Sequence, residues 1–241
     1  MSGFSLGRSL IDFFFPPRCP LCRSLLTEDP PVGFCRDCLT GIKFLTHPYC
    51  SCCGLPFESS TQEDHRCSKC LTEERYFERA RSIGFYEGPL AEAISLFKYH
   101  GAIHLARPLG NLLMAYSGPG FSFTDYGLIL ATPSSKERLR ERGFNPALLL
   151  ARRVSSAFSI PLHLHALRRV RHTPPQTRLR GPEREKNIQG AFGVGDTEVI
   201  RDKTILLIDD VFTTGATARE CAKVLRRAGA KKVDVLTLAR A

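Results

Sequence analysis

Ile205–Thr217 reads ILLIDDVFTTGAT, and these thirteen positions decide the fold. Four consecutive apolar residues, Ile205, Leu206, Leu207 and Ile208, suit a strand covered on both faces, the usual state of a strand in a parallel sheet. Asp209 and Asp210 follow at its carboxyl end, the edge at which open α/β sheets hold their ligands. Thr213, Thr214, Gly215, Ala216 and Thr217 then supply hydroxyls, a glycine without Cβ and a turn into a helical run. Backbone N–H groups at such a helix start lack intrahelical partners and face an anion readily.

On both sides of this stretch, elements alternate from about Tyr76 to the end of the chain. Strands are expected at Ala80–Tyr86, Leu128–Ala131, Thr204–Asp209 and Lys232–Leu238, and helices at Leu90–Tyr99, Leu105–Tyr116, Pro146–Phe158 and Ala216–Ala228, the last closed by Gly229. That alternation predicts an α/β domain over residues 76–241, a parallel sheet flanked by helices. No internal repeat is visible. Neither GxxxxGK[ST] nor GxGxxG occurs, since GVGDTE lacks the final glycine, so the common nucleotide fingerprints are absent.

The first third has a different grammar. Nine of the ten cysteines precede residue 71, and eight form four CxxC knuckles: Cys19/Cys22, Cys35/Cys38, Cys50/Cys53 and Cys67/Cys70. A two-residue gap turns both thiolates toward one ion, and four thiolates complete a tetrahedral structural zinc site with no position left for water. Residues 19–75 are therefore expected to be a small zinc-ribbon module with two four-cysteine sites, too short to fold on apolar burial alone. The intervals between knuckles are twelve, eleven and thirteen residues, so sequential and crossed pairing are both buildable, sequential pairing closing the shorter loops. Cys52 reads as a bystander thiol and Cys221 as a small buried apolar residue. Residues 1–18 are expected to form a leader helix docked through Phe13, Phe14 and Phe15.

The opening GRSLIDFFFPP has only a short apolar run, broken by Asp12 and closed by Pro16 and Pro17, which predicts neither signal peptide nor membrane span. Cysteines in this metal pattern go with a reducing compartment, so a cytoplasmic location is expected. The net charge of +10, from 34 Lys and Arg against 24 Asp and Glu, implies an anionic partner, either nucleic acid or a small phosphorylated substrate. Two basic stretches concentrate that charge. TPSSKERLRERGFN carries Ser134, Ser135, Lys136, Arg138, Arg140 and Arg142 before the helix at Pro146 and reads as a second anion-binding loop. RRVRHTPPQTRLRGPEREKN, long and polar, suits a mobile lid.

The stretch ILLIDDVFTTGAT closely resembles the phosphoribosyl pyrophosphate motif of type I phosphoribosyltransferases. The knuckles, CGLPF at Cys53–Phe57, LFKYHG at Leu96–Gly101, RLRERGFN at Arg138–Asn145, TPPQTRLRGPEREKNIQGAF at Thr173–Phe192 and the terminal VDVLTLARA together resemble the ComF family of competence-associated proteins, including its ComFC and GntX-like members. The resemblance implies that Asp209 and Asp210 contact the ribose hydroxyls and that Thr213–Thr217 grips the 5′-phosphate. It further implies a pyrophosphate loop at Ser134, Ser135, Lys136 and Arg138 and a flexible loop including Arg171, Gln176 and Arg180. Lys98, Arg142 and Asn145 are additional site candidates. Mg²⁺ would ride on the pyrophosphate and ribose oxygens. The implied activity is transfer of 5-phosphoribosyl to an acceptor in a role linked to DNA uptake. The alternative is a non-catalytic zinc-containing protein that binds single-stranded DNA or scaffolds the competence machinery.

Overall fold

The computed structural model describes residues 16–26, 30, 32–57, 63–116, 118, 121–171 and 187–241. The expected leader helix therefore falls almost wholly outside the described residues, and Pro16–Arg18 are not helical.

Four strands, β1 (Arg79–Phe85), β2 (Leu128–Ala131), β5 (Thr204–Phe212) and β6 (Lys232–Arg240), form a sheet in the order β1-β6-β5-β2 with every pair parallel. Side chains alternate across β5, so its four buried aliphatics serve two cores. Ile205 and Leu207 join Leu128, Leu130, Val233 and Val235 on the face covered by helix α7 (Ala216–Arg227). Leu206 and Ile208 join Ile129, Leu236 and Leu238 on the face covered by α3 (Gly88–Tyr99), α4 (Ala106–Met114) and α6 (Pro146–Phe158). All four β5 aliphatics are completely buried, each worth roughly 1.5–3 kcal/mol. The α/β sheet flanked by helices is thus as the sequence predicts.

The differences from the sequence reading have local causes. Strand β5 runs on through Asp209 and Asp210 to Phe212 because β6 accompanies it to Arg240, whereas β2 stops at Ala131 opposite Ile208. Beyond Ile208 one flank of β5 is open, and a cleft begins there. The helix expected at Leu105–Tyr116 is a 3₁₀ turn at Ile103–Leu105 followed by α4. The basic stretch before Pro146, read as a loop, holds helix α5 (Lys136–Arg142), capped by Ser135 and stopped by Gly143 at φ +78°. Its seven residues are too few for an apolar period to show. A short antiparallel pair, β3 (Leu167–Arg169) and β4 (Phe192–Val194), brackets the second basic stretch, its strands too brief for a visible alternation. Residues 172–186 of that stretch, with Gln176 and Arg180, lie outside the described residues.

The cysteine module contains a repeat that the sequence reading missed. In each half a first knuckle sits in a short hairpin, bridged at Arg18–Leu25 and at Tyr49–Pro56. The second knuckle opens a five-residue helix, α1 (Arg36–Thr40) or α2 (Ser68–Thr72), with Cys35 or Cys67 as the N-cap. Beyond the cysteines and the turn geometry only the Leu-Thr pair after each second knuckle repeats, Leu39-Thr40 and Leu71-Thr72, so residue-level similarity is slight. The sulfurs group sequentially: those of Cys19, Cys22, Cys35 and Cys38, and those of Cys50, Cys53, Cys67 and Cys70, lie within 4.8 Å of one another. Two tetrahedral thiolate cages of this kind fit structural zinc. Burial acts to raise the Cys50 thiol, yet the N–H groups of Cys67, Cys53 and Cys52 hold it down to about 6, while burial pushes the Cys53 and Cys70 thiols up, so the cage as a whole needs a cation to ionise.

This module covers the β1 edge, which would otherwise present unpaired backbone groups. Leu45 N–H donates to Ile83 O and Phe85 N–H to Lys43 O, each at 2.9 Å, and Ala80 N–H donates to Cys52 O at 2.7 Å. The approach is so close that a Cβ on Gly84 would stand 2.7 Å from Lys43 O, and one on Gly54, at φ +69°, 2.7 Å from Ala80 O. Arg81 stacks over the Tyr49 ring at 4.7 Å and donates to Ser51 O at 2.9 Å, and Arg240 donates to Cys53 O at 2.8 Å. One cysteine cage packs into each core of the sheet. Among the described residues no helix is long and apolar enough to cross a membrane.

Candidate functional site

A cleft of about 360 Å³ opens at the carboxyl edge of the sheet where β2 stops beside β5. Asp209 and Asp210 form its floor. Because neighbours on a strand point to opposite faces, the two carboxylates have different surroundings. Asp210 meets α3, where Lys98 Nζ lies 2.7 Å from Asp210 Oδ1 with both side chains largely buried. Asp209 lies on the α7 side, and its Oδ1 accepts the N–H of Asp210 at 2.9 Å. Burial, then the charge of Asp210, pushes the Asp209 carboxyl up to about 7, against the opposing pull of that N–H and of Lys98. The floor is therefore a carboxylate pair with one ammonium, in which Asp209 holds its proton more tightly than an ordinary carboxyl.

One wall is the turn from β5 into α7. Gly215 is its N-cap at φ +78°, and a Cβ there would stand 2.6 Å from the Phe212 ring, so only glycine closes this turn without strain. Thr213, Gly215, Ala216 and Thr217 line the cleft. Thr214 is absent from the lining, and its Oγ1 instead accepts the Ala216 N–H at 3.3 Å. It shapes the turn. The start of a twelve-residue helix, Ala216–Ala218, then borders the cleft with the positive end of its dipole.

The opposite wall is the segment from Thr132 into α5. Ser135 caps that helix by accepting the Arg138 N–H at 3.3 Å, and Ser134, Ser135, Arg138 and Arg142 all line the cleft. Lys136 is one helical step round and exposed, and it lines a neighbouring groove instead. Asn145 reaches the cleft but spends its amide on structure. Its Nδ2 donates to Thr132 O at 3.0 Å and its Oδ1 accepts the Ala147 N–H at 3.1 Å, bracing the loop against α6. Arg171 also lines the neighbouring groove, where its Nη2 donates to Asn187 O at 2.9 Å and Gln189 O at 2.6 Å.

Among the lining residues that the sequence did not reveal, Arg169, Tyr86 and Tyr99 bear most on the chemistry. Arg169, from β3, stands between the cleft and the groove and lines both; burial, then nearby Arg138, lowers the proton affinity of its guanidinium. Tyr86 and Tyr99 form a half-exposed rim, with Arg142 over the Tyr99 ring at 4.8 Å. Position was the missed signal: both tyrosines close an element, β1 or α3, at the ligand edge of the sheet. The assembled site sets Lys98, Arg138, Arg142 and Arg169 around two carboxylates and a helix start. Such a site suits a ligand with anionic groups at both ends and hydroxyls between.

Comparison with known proteins agrees with this division of the chain. Residues 10–71 match the model of the double zinc ribbon domain, and residues 145–241 match that of the phosphoribosyl transferase domain. The chain is 32% identical to competence protein F of Haemophilus influenzae, over 95% of this chain and 99% of that protein. It is 30% identical to the DNA utilization protein YhgH of Escherichia coli K12, over 93% and 97% of the two chains. Identity to competence protein ComFC of Bacillus subtilis is 28%, over 92% and 94%. A double zinc ribbon joined to a phosphoribosyl transferase domain, matched nearly end to end by these relatives, places this chain in the ComF family of competence protein F.

Proposed function

We propose that the cleft binds phosphoribosyl pyrophosphate with Mg²⁺ and that the protein transfers 5-phosphoribosyl to a nitrogen nucleophile, in a role linked to DNA uptake. The observation that carries this reading is the meeting of three stretches distant in sequence. The Asp209–Asp210 floor, the Thr213–Thr217 turn and the Ser134–Arg138 segment enclose one cleft. In this reading the 5′-phosphate sits on the N–H groups at the start of α7, and the ribose hydroxyls donate to Asp209 and Asp210. Arg138, Arg142 and Lys98 balance the pyrophosphate as its bond to C1 breaks, stabilising charge where it develops. Asp210, the pyrophosphate and the ribose oxygens are hard ligands suited to Mg²⁺, which when bound supplies further neutralisation of the leaving group. No side chain acts as covalent nucleophile. Lys98 must exchange part of its contact with Asp210 for the ligand, so the floor switches from an internal ion pair to a ligand-binding pair.

Titration calorimetry of the zinc-loaded protein with phosphoribosyl pyrophosphate and Mg²⁺ tests the binding half. Asp209→Ala with Asp210→Ala is expected to weaken affinity by about a hundredfold or more, and unchanged affinity sinks the reading. Pyrophosphate release across candidate bases, nucleotides and DNA tests transfer. A second reading, a non-catalytic protein that handles single-stranded DNA, draws on the names of the relatives and the +10 charge. Donor binding without pyrophosphate release from any acceptor, alongside DNA binding that falls steeply with salt, is its signature.

A further inference from the structure

Beside the cleft, across the wall formed by α5, lies a second concavity of about 590 Å³ between α5, α6 and β3. Its rim carries four exposed cations, Lys136, Arg152, Arg168 and Arg171, and Glu137 is the one carboxylate among the described residues that line it. Two of these guanidiniums are aimed by backbone carbonyls, Arg168 by His165 O at 2.9 Å and Arg171 by Asn187 O and Gln189 O. Carbonyls orient a guanidinium without neutralising its charge. The floor is aliphatic: Leu148, Leu149 and Leu167 lie beneath Leu139, Leu164 and Val170, and the last three are 45%, 46% and 65% exposed. A contiguous apolar patch ringed by polar residues is the mark of a protein-binding surface.

We propose that this groove docks an acidic amphipathic segment of a partner protein, whose aliphatic side chains fill the floor and whose carboxylates meet the four cations. Two features select that occupant. Charge complementarity demands an anionic partner, and the chain's own segment 172–186, which leaves from Arg171, has four Lys and Arg against two Glu and so has the wrong sign. Single-stranded nucleic acid is also anionic, but it gains its sequence-tolerant affinity from bases stacked on aromatic side chains, and Phe144 and His163 are the only rings lining the groove among the described residues. Leucine-type side chains suit an aliphatic floor better, in the manner of a helix laid in a groove. Pro133, Ser134, Asn145 and Arg169 line both the groove and the cleft, so the partner would sit directly behind the Ser134–Arg138 wall. The docking surface does not depend on the donor assigned to the cleft.

The test uses the full zinc-loaded chain and fluorescence anisotropy. The probe is a fluorescein-labelled peptide of about twelve residues, roughly three helical turns, with leucines at i, i+3, i+4 and i+7 and glutamates elsewhere. Saturable binding is expected, weakened about tenfold by Arg152→Glu with Arg168→Glu. A several-fold loss is expected in Leu164→Ser with Val170→Ser. All four positions are exposed, and unchanged melting curves confirm that the variants fold. A scrambled peptide of the same composition that binds equally well overturns the proposal, because charge alone then suffices. Binding of the designed peptide that neither double variant disturbs also overturns it. So does an oligothymidylate whose binding the charge reversal abolishes while the peptide fails to bind, since the groove is then a nucleic-acid site.

Discussion

Asp209→Asn should stabilise the unliganded protein above neutral pH while leaving its stability near pH 4 unchanged. In the folded chain burial and Asp210 push the Asp209 carboxyl up to about 7, whereas unfolded it returns to the ordinary value of about 4. Between those values the folded state holds a proton that the unfolded state has lost, so this group's contribution falls as pH rises from about 4 to 7 and is level above. A tenfold change in proton affinity is worth about 1.4 kcal/mol, so the full displacement corresponds to roughly 4 kcal/mol. Solvent in the cleft reduces that to about 2 kcal/mol. Urea unfolding of wild type and Asp209→Asn, from pH 4 to pH 8, reads the difference between the two proteins, in which the titration of cysteines and histidines cancels. An amide avoids the charge, so the variant should gain about 2 kcal/mol on wild type across that range. A difference that is flat with pH, or that grows toward acid, refutes the account of the cleft floor.

Gly215→Ala sets a Cβ at 2.6 Å from the Phe212 ring at a residue with φ +78°; a loss of about 1–3 kcal/mol in urea unfolding is expected, and wild-type stability refutes the strain at this turn. Cys50→Ser should lower bound zinc from two ions to one per chain by elemental analysis. Retention of both ions would show that Cys52, buried next to this cage, had taken the ligand position.

Much of the chemistry was legible because it is contiguous. ILLIDDVFTTGAT names a doubly covered strand, its acidic end and its turn in one run, and the CxxC spacing names thiolate cages, since both depend on neighbours in sequence. What failed to show was short or distributed. Helix α5 has seven residues and β3 three, below the length at which periodicity separates helix from strand. Lys136 and Arg138 looked equivalent in a charged run, yet two residues of helical rotation send Lys136 to the groove and Arg138 to the cleft. Thr214 looked like part of the anion cradle, and its hydroxyl is turned to the backbone of the next turn.

The sequence by itself determined the parallel-sheet strand, the location of the carboxylate pair at its carboxyl end, the glycine turn that follows and two four-cysteine sites. These follow from local periodicity and from ligand spacing. Tertiary structure alone decided that β2 stops one residue short of Asp209 and so opens the cleft, and that Lys98 pairs with Asp210 across a helix–strand contact. It also decided that each cysteine cage packs into a different core of the sheet, and that Arg169 reaches the cleft from a hairpin. Each of these is a contact between residues far apart in the chain, fixed by strand order and register rather than by any property of the residues taken alone.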